Sequence, residues 1–156
     1  MHYRLAKLDD LPQLASLRWS QWLEDGEDPA LQQRDQFVEQ FSAWMAPKLD
    51  SSWYLWCAFA QQTLVANIYI QRIEKLPKPS APATDAFGYV TGVYTRAEHR
   101  NQGIGAALMG QVGAWALETN LEFLVLWPST ASVPFWTRAG FSANESLLHR
   151  VRAYIN

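Results

Sequence analysis

The sequence predicts an α/β domain built on a mixed sheet, and two stretches carry that prediction. Two runs rich in aromatic and β-branched residues, Trp53 to Ala60 and Leu64 to Ile73, are parted by Gln61-Gln62-Thr63 and read as an antiparallel hairpin. Residues 89–127 read strand, polar turn, helix, strand. More than two dozen residues separate those strands, enough for a helical crossover between parallel neighbours and too many for a hairpin. A chain of 156 residues, 49% hydrophobic and 18% charged, suits one globular domain over residues 1–156 that buries roughly two-thirds of its unfolded surface.

The remaining elements fall around these two units. Tyr3 and Leu5 alternate with Arg4 and Ala6 as a short first strand. Asp9 or Asp10 caps a helix with Pro12 in its first turn, whose apolar face carries Leu11, Leu14, Ala15, Arg18 and Trp22. Asp28-Pro29 starts a second helix with the stripe Phe37, Val38, Phe41, Trp44 and Met45, ending near Pro47. Residues 76–86 hold three prolines and read as an extended excursion. The strand Tyr89 to Thr95 leads to a helix from about Gly103 to Glu118, with Ile104, Leu108, Val112 and Trp115 on its packing face. The strand Phe123 to Trp127, a short helix near Ser132 to Ala139 and a final strand Leu147 to Tyr154 complete the chain.

Composition narrows the function classes. The single Cys57 cannot form an internal disulfide, and no Cys or His spacing matches a zinc site, so a reducing compartment and no metal are expected. Charges at Arg4, Lys7, Asp9 and Asp10 interrupt any signal-like stretch, and no run approaches a membrane span, so a cytoplasmic location is expected. A net charge of −2 gives no reason to expect nucleic acid. The charge is unevenly spread: residues 1–50 carry 9 acidic against 5 basic groups, residues 51–156 carry 6 against 8. Eight tryptophans are more than a core of this size needs, and an aromatic-lined pocket is the alternative to core packing.

The chemistry-bearing motif is the turn Arg100-Asn101-Gln102-Gly103-Ile104-Gly105. Its glycines let a ligand approach the main chain where a helix opens with unpartnered N–H groups, and Arg100 adds a full positive charge, so an anion is the natural ligand. A tight turn alone would look the same. A P-loop requires Lys-Ser or Lys-Thr after the last glycine, and Ala106-Ala107 stands there; a dinucleotide fingerprint wants Gly where Leu108 stands.

Val93 to Leu108, read with its strand, its Arg-x-x-Gly-x-Gly turn and its helix, resembles the GNAT superfamily of acyl-CoA-dependent N-acyltransferases. Leu124 to Trp127 resembles that family's next parallel strand, and Val133-Pro134-Phe135-Trp136-Thr137-Arg138-Ala139-Gly140-Phe141 its short helix ending in Gly-Phe. The resemblance implies a mostly antiparallel sheet, splayed at its central parallel pair, with helices on both faces. It also implies acetyl transfer from acetyl-CoA to a primary amine of a small molecule or peptide, by direct attack in a ternary complex without a metal. Backbone groups of Val93 and Thr95 would bond the pantetheine arm, the amides from Gln102 through Gly103 and Ile104 to Gly105 would hold the pyrophosphate with Arg100 and Asn101 beside them, and Ser129 stands where an Asn is frequent. The backbone N–H of Val93 or a neighbour would face the oxyanion. A homodimer is one assembly left open.

Trp136 occupies a position where the family frequently carries the Tyr that protonates the leaving thiolate, and an indole N–H delivers no proton at neutral pH. No residue is assigned as catalytic: Tyr94 and His99 are near in sequence, and Thr91, Tyr89 or a water are candidates for the base. A non-catalytic acyl-CoA-binding or sensing module of the same fold is therefore the competing reading, and a nucleotide-binding domain is a third. Glu24, in an acidic run with Asp25, Glu27 and Asp28, lies beside Trp19 and Trp22 and offers charge and ring faces to a cationic acceptor; a solvated loop end is the plainer reading. Cys57 reads as a buried apolar group, and the loop 76–86 as either a lid or an insertion.

Overall fold

A computed structural model of the protein describes residues 1–26, 33–79 and 85–143. Five strands form one sheet in the order of the chain: β1 (His2–Leu5), β2 (Trp53–Ala60), β3 (Thr63–Glu74), β4 (Ala86–Thr95) and β5 (Leu121–Val125). The first three pairings are antiparallel and β4–β5 is parallel. The β2–β3 turn is tighter than the sequence suggests, because Gln61 takes a left-handed φ of 56° and Thr63 already pairs with Ala60. β4 begins at Ala86, opposite Glu74, inside the stretch assigned to the proline-rich loop. β5 ends at Val125, short of Trp127, because its pairing to β4 runs out there. The Asp28-Pro29 helix start, residues 80–84 of the loop and the strand at 147–154 lie outside the described residues.

Helices cover both faces of the sheet. α3 (Ile104–Glu118) buries Ile104, Leu108, Val112 and Trp115 against Ala58, Ile68, Ile70 and Val90, the face its spacing predicts. Each such side chain contributes roughly 1.5–3 kcal/mol on burial. α1 (Leu11–Glu24) and α2 (Arg34–Met45) take the opposite face, where Leu11, Leu14, Leu17 and Met45 meet Leu55, Phe59, Leu64 and Tyr69. α1 buries Leu17 and Trp19 in addition to the expected Leu11, Leu14 and Ala15, because it is packed on one side by the sheet and on another by α2, whose Phe37 ring lies 5.7 Å from Trp19. The short α4 (Val133–Arg138) follows β5 and carries Trp136 into the α3-side core.

Two local devices fix the sheet edges around the central strands. Arg4 grips Asp10 through two hydrogen bonds of 2.6 and 2.9 Å, and Asp10 also accepts the Lys7 amide at 2.7 Å, which joins β1 to the start of α1. In β4 an extra residue slips in opposite β3: Asn67 pairs with Tyr94 but Tyr69 pairs with Thr91. This bulge centres on Gly92, where a φ of +55° and a 2.6 Å approach of the Tyr69 ring to the Cβ position make any side chain strained. The buried Asn67 amide donates to the Gly92 carbonyl, which the bulge has turned out of the ladder.

The Arg4 hydrogen bond holds the Asp10 carboxyl below its ordinary range, with the Lys7 amide acting in the same sense. Stability from a depressed carboxyl is present above the unfolded-state value of about 3.9 and is lost as pH falls through the lower folded value. Asp10→Asn should cost about 1–3 kcal/mol near pH 7 in urea unfolding and much less at the acid end of the range. Gly92→Ala should cost a similar ~1–3 kcal/mol at any pH.

Candidate active site

β4 keeps its β3 partner through Thr95 but pairs with β5 only from Ala86 to Tyr89. Beyond Tyr89 the two parallel strands part, as a splayed pair should. The gap opens into a cleft of about 2070 Å³, with Val93, Tyr94 and Thr95 on one wall and Leu124, Val125, Leu126, Pro128 and Ser129 on the other. The turn into α3 closes one end, supplying Arg100, Asn101, Gly103, Ile104 and Gly105. Gly103 has φ +76°, and nothing lies within 4 Å of a Cβ built on it, so its surface toward the cleft is bare main chain. The first helical bond runs from the Ala107 amide to the Gly103 carbonyl at 2.9 Å, which leaves the amides of Ile104, Gly105 and Ala106 without helical acceptors. That arrangement suits the pyrophosphate of a nucleotide-bearing thioester. Gln102 is exposed on the same turn, its side chain bonded to the Glu98 carbonyl at 3.0 Å.

Comparison with known proteins decides the family. The model of the acetyltransferase (GNAT) family matches residues 11–141. The chain belongs to the GNAT family. Among solved structures, a GCN5-related N-acetyltransferase from Ralstonia eutropha JMP134 is 29% identical with a TM-score of 0.75, covering 96% of this chain and 97% of that one. A predicted acetyltransferase with acetyl-CoA from Clostridium acetobutylicum is 24% identical with a TM-score of 0.74, covering 96% and 95%. Glucosamine-6-phosphate N-acetyltransferase from Arabidopsis thaliana shares the fold at a TM-score of 0.69 and 10% identity, covering 97% of each chain. Among curated proteins no sequence matches.

Arg100 and Glu24, expected from the sequence to serve opposite substrates, come together in one ion pair. Glu24 also accepts the Tyr94 hydroxyl proton at 2.6 Å, and the Arg100 guanidinium lies 5.5 Å from the Tyr94 ring centre while donating to the Thr95 carbonyl at 2.9 Å. The end of α1 is thereby tied to the glycine turn of this GNAT chain. Arg100 first, then Tyr94, hold the Glu24 carboxyl below its ordinary range. Burial first, then Glu24, push the Tyr94 phenol up to about 12. A phenol so held is a poor proton donor to a thiolate.

Trp136 lies at the cleft floor, 7% exposed, with Phe135 and Phe141 rings 4.9 and 5.2 Å away. It is a core indole. His99 lines the cleft beside Arg100. Cys57 is fully buried and its thiol is pushed up by that burial, so it remains protonated. Among the described residues no group of His, Cys, Asp or Glu could hold a metal, and no helix is long and apolar enough to cross a membrane.

Trp19 and Trp22 lie with ring centres 5.2 Å apart and begin a row of rings that continues through Phe37, Phe41 and Tyr69 at spacings of 5.7, 6.0 and 6.2 Å. They back a second cavity, of about 280 Å³, without lining it. Its walls are Arg18, Phe37, Phe41, Trp44, Met45, Trp53 and Tyr69, with Thr91 and Gly92 of the bulge. The two cavities meet on consecutive residues of β4. The apolar stripe of α2 was legible in the sequence, but not that it faces this space; the available signal was Gly92 within a strand, the mark of a bulge or close approach.

Removing the Glu24 charge tests the network. Glu24→Gln should lower the Tyr94 value from about 12 toward, though not to, the ordinary tyrosine value, because burial remains. An ultraviolet phenolate difference titration of variant against wild type reads the change.

Proposed function

We propose that the protein transfers an acetyl group from acetyl-CoA to a primary amine of a small molecule or peptide, by direct attack in a ternary complex, within one domain over residues 1–156. The observation that carries the reading is the parting of β4 from β5 after Tyr89, which opens a cleft lined by the strand edge and the start of α3, with a second cavity reaching the adjoining bulge. In this reading backbone groups of Val93 and Thr95 bond the pantetheine arm, the amides from Gln102 to Gly105 hold the pyrophosphate, and Ser129 contributes a hydroxyl from the facing wall. Arg100 serves the same phosphates, moving off Glu24 or bridging the two. The amine enters from the aromatic cavity and meets the thioester at Thr91 to Val93, where a main-chain N–H stabilises the oxyanion. A thiolate is a tolerable leaving group, so water suffices to protonate it where Trp136 stands in place of a phenol. Acetyl-CoA supplies the activated acyl group, and the chain supplies its alignment.

A second reading, a CoA-binding module without turnover, draws on Trp136 and on Tyr94 being engaged with Glu24. Thiol release from acetyl-CoA across amines, amino acids and peptides separates the two: steady release supports transfer, and tight CoA binding without release supports the module. Gly103→Val places a branched side chain in the phosphate cradle and Arg100→Glu reverses its charge. Each should weaken CoA binding by at least about tenfold in calorimetry, or ~1.4 kcal/mol. Unchanged affinity in both would refute the pyrophosphate assignment.

A further inference from the structure

The small cavity has a composition unusual for a site that receives a simple cation. Five aromatic rings, those of Phe37, Phe41, Trp44, Trp53 and Tyr69, form its walls, yet the charged group on its lining is Arg18. Among the described residues no carboxylate lines it. Glu24, on the same helix as Arg18, is turned away to Arg100 and Tyr94. Arg18 makes one hydrogen bond to a side chain, from Nη1 to Gln21 Oε1 at 3.0 Å, and forms no ion pair among the described residues. A guanidinium has five N–H donors in a planar fork matched to a carboxylate. Among the described residues most of that fork is uncommitted in the half-buried Arg18.

The apolar walls are left partly open. Phe37 and Phe41 remain half-buried and Trp44 is 50% exposed, although they form the inward stripe of α2: each touches a neighbouring ring but leaves part of its surface open to the cavity. Gln21, bonded to Arg18, also donates to the Val93 carbonyl at 3.3 Å, so the cation is linked through one side chain to the bulge. At about 280 Å³ the space falls just below the range of small-molecule sites, about 300–1,000 Å³, and suits one amino-acid-sized molecule.

We propose that the acceptor is an amine that also carries a carboxylate on an apolar or aromatic body, as an apolar α-amino acid does, with Arg18 binding the carboxylate and the rings enclosing the side chain. This rests on the acetyl-transfer reading and specifies its substrate. A polyamine or an unmodified cationic amine would bring its charge against Arg18 with no carboxylate to offset it, so the cavity selects against it. Arg18 is a specificity residue, acting on substrate binding and not on the bond that forms.

The test compares matched pairs that differ only in the carboxylate: L-phenylalanine against phenethylamine, and L-leucine against isoamylamine, in thiol release from acetyl-CoA. The proposal expects kcat/KM at least about tenfold higher for each amino acid, carried by KM, which corresponds to one carboxylate–guanidinium contact. Arg18→Gln should abolish that preference and Arg18→Lys should restore part of it. Equal rates within the pairs, or a preference for the plain amines or for a polyamine, would overturn the proposal while leaving acetyl transfer intact. Calorimetry with N-acetyl-L-phenylalanine and N-acetylphenethylamine gives a readout independent of turnover. Tighter binding of the acid supports the site even where no acceptor reacts, and equal or absent binding of both counts against it. Failure of CoA itself to bind would instead strike the reading on which this one rests.

Discussion

β4 is held by β3 along nearly its whole length but by β5 only as far as Tyr89, and the rest of the site depends on that mismatch. A strand end that loses one partner exposes main-chain groups that must find others. In this chain the bulge at Gly92 turns one carbonyl inward to the buried Asn67 amide, while the Val93 carbonyl takes the Gln21 side chain and the Thr95 carbonyl takes Arg100. The strand is therefore fixed in its parted position by side chains from β3, α1 and the glycine turn. The large cleft is lined from Val93 onward and the aromatic cavity by Thr91 and Gly92, so one backbone irregularity stands between the two spaces.

Electrostatics add a second tie. The Glu24 carboxylate joins the Arg100 guanidinium and the Tyr94 hydroxyl, coupling the end of α1 to the turn that opens α3. Both ion-pair partners are half-exposed, so the pair contributes little stability, on the order of 0–1 kcal/mol. Under the proposed function, its weight lies in placing a carboxylate where an incoming phosphate competes for the same guanidinium. The acidic first third and the mildly basic remainder of the chain thus meet in this ion pair.

Much of the fold was legible because periodicity reports burial. The α3 face, the hairpin and the parallel crossover arise from residues whose spacing matches the surfaces they cover. The glycine turn was legible as a helix start, and Gly103 caps α3 there with a left-handed φ. What escaped were consequences of tertiary neighbours. Arg18 reads as one more residue on the α1 face, and only the crossing of α2 shows that it borders a cavity. Trp19 and Trp22 read as pocket walls, yet neither lines the cavity, whereas Phe37 of α2, 5.7 Å from Trp19, does. The Glu24–Arg100 pair joins residues 76 positions apart, and no local pattern announces it. β5 stops before Trp127 for a similar reason, since its extent is set by how long β4 stays alongside.

Amide hydrogen exchange with and without CoA tests the central claim most directly, because it reports on both walls of the cleft at once. If the parted strands form the CoA site, CoA slows exchange at Ile104, Gly105 and Ala106 and along Val93 to Thr95, with little change in β1 and β2. Protection confined to other regions, or no protection at saturating CoA, would contradict it.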